Sequence, residues 1–279
     1  MDTLEKDISD TVEVEYRRPK LLLLQEMNKV TLAGLFLVLF ASSTLAQTQT
    51  LLDYRKEDFN SESSPQLPAT TENFVISQVV RSTDKPCSGD LSPTVIDYAS
   101  GSFTESQSDQ VVYLVDLGDS CHPRFTGTIR IAVASSGKVV TYGDVTGYSN
   151  IQQISDVNGD GINEIILEGS WLGQGYFSTF AKLIEIKSKG LLTLNNFEQV
   201  YGNNLGTINS KLYNIASVIS VNRGSQGQTV FSRKNYLSRC VEVESEERDC
   251  SSYEYMSEGK FPEYDEIERF MSSPAKEVY

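Results

Sequence analysis

The clearest pattern along the chain is a series of short apolar runs separated by clusters of Gly, Asp and Ser, between residues 95 and 202. The runs are rich in β-branched and aromatic residues, and none keeps a helical period for long, which is typical of β-strands. They occupy residues 111–115, 128–133, 139–142, 164–167 and 182–186. We therefore predict that this region is mainly β.

Two parts of this region repeat each other at an offset of about 54 residues. Residues 101–112 lie over residues 155–166, and residues 131–139 lie over residues 184–192 at an offset of 53. A unit of about 50 residues with several strands is the size of a propeller blade. A third, poorer copy runs from residue 205 to 240. We predict two or three β-propeller-blade-like antiparallel units, not a complete seven-bladed propeller, for which the chain is too short.

The N-terminal residues 1–46 read as an extension and a signal peptide. Lys29 precedes an apolar run over residues 30–40, and small residues lead to Ala46, where we expect cleavage. An uncleaved anchor is the alternative, but the run is about half of the ~20 residues that a spanning helix needs. A translation start at Met27 is the simplest account of the acidic residues before it, and a twin-arginine signal is the other.

The rest of the chain divides by composition. Residues 47–72 are rich in Ser, Gln, Thr, Glu and Pro and predict a flexible leader. Residues 73–250 form the β-rich domain. Residues 251–279 form an acidic C-terminal tail, in which a short helix near Asp265 is expected.

The charge and the cysteines restrict the partners and the compartment. With 38 acidic and 24 basic residues the chain repels nucleic acid, whose affinity for proteins comes from clustered Lys and Arg. Four cysteines in an exported chain predict disulfides. Three pairings are possible, and we favour Cys240–Cys250 with Cys87–Cys121 because each bond then stays within one half of the chain. Zinc is disfavoured, because no C-x-x-C occurs and His122 is the only histidine.

One loop carries a metal-binding pattern. Calcium takes six to eight oxygen ligands, and a tight loop supplies them from alternate positions. Gly159 and Gly161 permit the tight turning that such a loop needs. An Asx/Gly-rich turn without metal is the alternative. The five predicted ligands are Asp156, Asn158, Asp160, Ile162 through its carbonyl, and Glu164.

The end of this loop separates the families of calcium loops. An EF-hand needs an acid at position twelve, where this chain has Leu167, whereas position nine is Glu164 and leads straight into an apolar run. This arrangement resembles the FG-GAP or VCBS repeats of integrin-type β-propellers and many bacterial surface proteins. The resemblance covers residues 95–204. It implies propeller-blade units and a calcium ion at the five residues above.

The first unit departs from the pattern. Ser102, Thr104 and Ser106 stand where the second unit has its first three ligands, so no calcium is expected there.

No catalytic set is evident in the sequence. A Ser/His/Asp triad would have to use His122, and no G-x-S-x-G motif occurs. Trp171 with Tyr176, Phe177 and Phe180 could form a sugar-stacking platform, and core packing is the alternative.

These observations favour an exported protein, secreted or periplasmic, that binds calcium and acts as a non-enzymatic binding or adhesion module for an unknown protein or glycan. An extracytoplasmic glycan-acting hydrolase, or its accessory domain, is the alternative. A small inhibitor or envelope-maintenance protein is a third class. We expect no membrane span in the mature chain.

Overall fold

Strands dominate the part of the chain that the structure describes. The computed structural model describes residues 48–56, 67–86, 90–119, 127–208, 211–224, 228–242 and 248–274. The elements are β1 (Thr48–Asp53), α1 (Ala69–Val79), β2 (Thr94–Gly101), β3 (Gln110–Asp116), β4 (Thr128–Ser135), β5 (Lys138–Thr146), β6 (Asn150–Ser155), β7 (Glu164–Gly173), β8 (Tyr176–Lys187), β9 (Gly190–Asn203), β10 (Leu212–Arg223), β11 (Thr229–Glu242), β12 (Arg248–Cys250), β13 (Glu254–Glu258) and α2 (Tyr264–Ser272).

The strands form two antiparallel sheets. Strands β2 to β5 make a four-stranded meander in sequence order, and β6 to β9 make a second meander with the same connectivity. The second meander continues through β10, β11 and β12, and β1 and β13 also join it, so this sheet curls into a half-barrel. The predicted fold class is confirmed, because the chain is mainly β and its antiparallel units are like propeller blades.

The two meanders pack face to face. In β3, Val112 and Leu114 face the large sheet, and in β7, Ile165 and Leu167 face the small sheet; all four are buried in one core. Alternate residues of a strand point to opposite faces. Ile166 therefore points into the curl of the large sheet, where a second core lies.

Helices cover two outer faces. Val75 and Val79 of α1 are buried against the outer face of the small sheet, together with Tyr113 and Ala132. Ile267 of α2 is buried in a further cluster with residues of β10 and β11. Each sheet face thus gains an apolar partner, as a stable layered fold requires.

The predicted flexible leader, residues 47–72, differs from what the structure contains. Residues 48–53 form β1, which pairs antiparallel with β10. Leu51, Leu52 and Tyr54 are at most 5% exposed and belong to the core inside the curl. α1 begins at Ala69, within the same predicted leader. The reason is burial, because two adjacent leucines and a tyrosine are enough to anchor this segment in the sheet once the distant strand β10 covers them.

The predicted acidic tail, residues 251–279, is also structured in its described part. Its residues Glu254–Glu258 form β13, which pairs with β11, and the helix expected near Asp265 is α2. Its apolar positions, above all Ile267, anchor it to the large sheet. The boundary at residue 250 therefore does not separate a tail from the domain.

The predicted bond between Cys240 and Cys250 is present and joins β11 to β12. Cys87 and Cys121, for which the second bond was predicted, lie outside the described residues, as do His122 and the predicted signal in residues 1–46. Neither helix in the described ranges has the length and apolarity needed to cross a membrane.

Candidate metal centre

The predicted calcium loop connects β6 to β7. Gly159 and Gly161 have φ of +85° and +83°, values that side-chain-bearing residues rarely adopt. A Cβ at Gly161 would also collide with the hydroxyl of Ser106. The two glycines therefore provide the tight turn that the sequence predicts.

Backbone N–H groups fix the side chains of this loop. The carboxylate of Asp156 accepts hydrogen bonds from Gly159 N at 2.5 Å and from Gly161 N at 3.0 Å. Asn158 Oδ1 accepts one from Asp160 N at 2.9 Å, and Asp160 Oδ1 accepts one from Ile162 N at 2.8 Å. A carboxylate has about four lone-pair sites, so these bonds orient the side chains without saturating them.

Glu164 closes the loop from within the core. Its side chain is fully buried, accepts a hydrogen bond from Val157 N at 2.6 Å through Oε2, and accepts another from Asn158 Nδ2 at 2.8 Å through Oε1. Burial raises the pKa of the Glu164 carboxyl, and the charges of Asp160 and Asp156 raise it further. A negative charge at this position is costly unless a cation compensates it.

A third carboxylate that the sequence analysis missed joins this site. Glu185 of β8 is 3% exposed, and carboxylate oxygens of Asp160, Glu164 and Glu185 lie within 4.8 Å of one another. Ile165 pairs with Ile184, so Glu164 and Glu185 stand opposite each other one residue further along. Like charges directly opposite each other destabilise a sheet. Glu185 also has a cationic neighbour in Lys187.

The predicted ligands do not all converge at these three carboxylates. The structure brings Asp160 and Glu164 together with Glu185, whereas Asp156 lies on the side of Arg223, whose Nη2 is 3.9 Å from Asp156 Oδ1. The Arg223 guanidinium also donates to the carbonyl of Val157 at 3.0 Å and to that of Asp156.

The first unit contains a similar loop with neutral side chains at the places of Asp160 and Glu164. Gln110 Oε1 accepts hydrogen bonds from Phe103 N at 2.7 Å and Thr104 N at 2.9 Å, and Gln110 Nε2 donates to Thr104 Oγ1 at 2.6 Å. At the offset of 54 residues, Gln110 corresponds to Glu164. The buried side chain that closes each loop therefore has the same place and similar contacts.

The two loops differ in charge and not in their manner of closure. Gln110 pairs with Ser135 across the strands, where the second unit has Glu164 opposite Glu185. Asp160 likewise corresponds to Ser106. The second unit thus has carboxylates at three places where the first unit has neutral side chains.

The donor set fits a hard cation. Three carboxylates within 4.8 Å of one another, two of them buried, repel each other, and Lys187 beside Glu185 supplies only one positive charge for the three. All of their donor atoms are oxygens, which calcium prefers. The residues therefore fit the calcium ion that the sequence pattern implies, with Glu185 added to the set.

The structure brings together three of the four aromatic residues predicted as a sugar-stacking platform and separates the fourth. Phe180 packs edge-on against Tyr148 in the core between the sheets, and Trp171 is 47% exposed on the β7–β8 hairpin. Trp171, Tyr176 and Phe177 line one cleft beside α2, and Phe177 also lines a second cavity. The four rings do not form one platform.

Comparisons with protein-family models, curated proteins and solved structures found no match for this chain.

Proposed function

We propose that this chain is an exported calcium-binding protein that acts as a non-enzymatic binding or adhesion module. Its calcium ion would join the β6–β7 loop to β8. The observation that carries the proposal is the convergence of Asp160, Glu164 and Glu185, two of them buried, where the first unit has only neutral side chains.

Calcium is favoured over other cations by the chemistry of the donors. Asp160, Glu164 and Glu185 offer only oxygens, whereas structural zinc is bound by Cys and His. Magnesium demands near-octahedral geometry, which a loop with backbone-tethered side chains satisfies poorly. The ion supplies positive charge that cancels the repulsion between the buried carboxylates. Asn158 and the Ile162 carbonyl would complete the shell from the loop, and Asp156 would join it only by turning away from Arg223.

Three observations support export and a binding role. The Lys29-to-Ala46 pattern is that of a secretory signal, and a disulfide such as Cys240–Cys250 persists in an oxidising compartment. The loop sequence resembles FG-GAP or VCBS repeats, which occur in bacterial surface proteins. The alternative, a glycan hydrolase, would need two carboxylates facing each other across a pocket.

The proposal predicts that Glu185 contributes to calcium affinity although it lies outside the loop. Calcium should bind the wild-type protein in a calorimetric titration, and Glu185→Gln should weaken the affinity at least tenfold, since a charged ligand is lost. Glu258→Gln removes the same charge from a 63% exposed side chain of β13 and serves as the control. Wild-type affinity in the Glu185→Gln variant, or no calcium binding by the wild type, would contradict the proposal.

A further inference from the structure

A second site lies on the same face of β7 as the metal centre. Glu164, Ile166 and Glu168 alternate on the face that points into the curl, with Ile166 in the core between the two acids. Beside Glu168 the curl opens into a cavity of about 750 Å³, within the range of small-molecule sites. Its inner wall includes Tyr54, Glu168, Thr179, Tyr201, Asn203 and Asn214.

Glu168 is a buried carboxyl group with unused hydrogen-bonding capacity. It is 7% exposed, and Tyr54 donates its phenolic hydroxyl to Glu168 Oε2 at 2.7 Å. Burial raises the pKa of the Glu168 carboxyl, while the hydrogen bonds from Tyr54 and Asn150 lower it. Two donors leave about half of the acceptor sites of a carboxylate to a ligand in the cavity.

The wall beside Glu168 presents both donors and acceptors. Tyr201 donates its hydroxyl to Asn214 Oδ1 at 3.3 Å and accepts a hydrogen bond from Asn203 Nδ2 at 3.4 Å. The Tyr201 ring meets the Phe177 ring edge-to-face at 6.1 Å between centroids, and both residues line the cavity. Amide, hydroxyl and aromatic groups on one wall suit a ligand that has hydroxyl groups and an apolar ring face.

The charges at the rim argue against an anionic ligand. Arg55 forms two hydrogen bonds of 2.8 Å to the carboxylate of Asp53, and Arg248 lies 3.2 Å from Glu242. Both arginines of the lining are therefore compensated by acids of the chain itself, and the lining's one lysine, Lys56, is balanced in number by Asp249. The Glu168 carboxylate would repel a negative group placed deep in the cavity.

We propose that this cavity binds a neutral carbohydrate unit, whose hydroxyl groups form hydrogen bonds with Glu168 and with the hydrogen-bonded group of Tyr201, Asn203 and Asn214. The hydroxyl groups of a carbohydrate both donate and accept hydrogen bonds, as the side chains of the cavity wall do. The apolar face of the sugar ring would lie against Phe177 or Tyr201. This inference rests on the binding role proposed above and assigns to it a site and a ligand class.

The test uses an array of neutral and uronic-acid oligosaccharides, probed with the wild-type protein in saturating calcium. Bound glycans are then titrated calorimetrically against two shape-preserving variants, Glu168→Gln and Tyr201→Phe. Each variant loses a hydrogen-bonding group in the cavity, so we expect affinity to fall about tenfold or more. Val230→Ala, at a 52% exposed position of β11 outside this cavity, is the control and should bind like the wild type, and Trp171→Ala tests the neighbouring cleft separately.

Three results would overturn the inference: no neutral glycan bound by wild-type protein that does bind calcium, a preference for uronic-acid glycans, or a loss of binding in Trp171→Ala alone. The first of these leaves the metal centre intact. Glycan binding that depends on Glu168 in a protein that fails to titrate with calcium would instead refute the metal proposal and support the cavity. The two proposals therefore fail separately.

Discussion

At the scale of single residues, Gln110 and Glu164 close similar loops, one with a neutral side chain and the other with a charged one. Both side chains are buried at the start of a strand and both accept a hydrogen bond from the backbone N–H seven residues earlier. The amide closes its loop with no need for a counter-ion. The carboxylate places a charge opposite Glu185, and under the calcium proposal a bound cation would compensate that charge.

Glu164→Gln should consequently uncouple folding from calcium. The variant keeps an acceptor for Val157 N and removes a buried charge. Without calcium, its free energy of unfolding should therefore exceed that of the wild type by up to about 1 kcal/mol. Urea unfolding in the presence of chelator measures this difference, and Glu258→Gln is again the matched control. A metal-free variant much less stable than the wild type would show that the Glu164 charge itself stabilises the loop.

The sequence predicts part of this site and misses part, for a physical reason. Asp156 to Glu164 are close in sequence, so alternate spacing and two glycines suffice to predict their loop. Glu185 reaches the site through the pairing register of β7 and β8. The sequence repeat, at an offset of 53, matches Ile131 with Ile184. The strand pairing instead makes Ala134 the counterpart of Ile184, because Val111 pairs with Ala134 and the corresponding Ile165 pairs with Ile184.

At the scale of elements, β1 is the strand whose burial the sequence pattern conceals. Only Leu51 and Leu52 interrupt a polar stretch, which is too short to predict a strand. The partner of Leu52 on β10, Ile219, is far away in sequence. Local periodicity carries no information about such a pairing, so the segment resembles a linker until the sheet is assembled.

Leu52→Ala should therefore destabilise the protein strongly, although Leu52 lies in the segment that the sequence predicts to be a flexible leader. Leu52 is 5% exposed within the core of the curl, and truncation of a buried leucine to alanine costs about 2–5 kcal/mol. Gln49→Ala, at an exposed position of the same strand, should change stability by about 0.5 kcal/mol or less. Equal denaturant midpoints for the two variants would show that β1 does not contribute to the core.

At the scale of the whole molecule, the repeat predicts the two blade-like units but not how the chain closes around them. The offset of 54 residues is a local property of the sequence, and it correctly relates β3 to β7. The extension of the second unit by β10, β11 and β1 has no counterpart among the described strands of the first unit and follows from long-range pairing. This extension creates the curl, and with it the cavity beside Glu168.

The metal centre lies where the loops of the two units meet. Its loop touches the loop of the first unit, since Asn163 N donates to the Ser102 carbonyl at 2.6 Å and Ser102 N donates to Asn163 Oδ1 at 2.8 Å. An ion that holds Glu164 and Glu185 together would therefore stabilise the stacked units and the start of β7, and we expect its removal to be felt in global unfolding.

Thermal unfolding of the wild-type protein, with calcium and with chelator, tests this account most directly. Calcium at a hundredfold excess over its dissociation constant should stabilise the folded chain by about 2.7 kcal/mol. For a domain of this size that corresponds to a rise in melting temperature of about 5–10 °C. The account predicts this rise with calcium and a smaller one with magnesium. The same melting temperature in calcium and in chelator would contradict it.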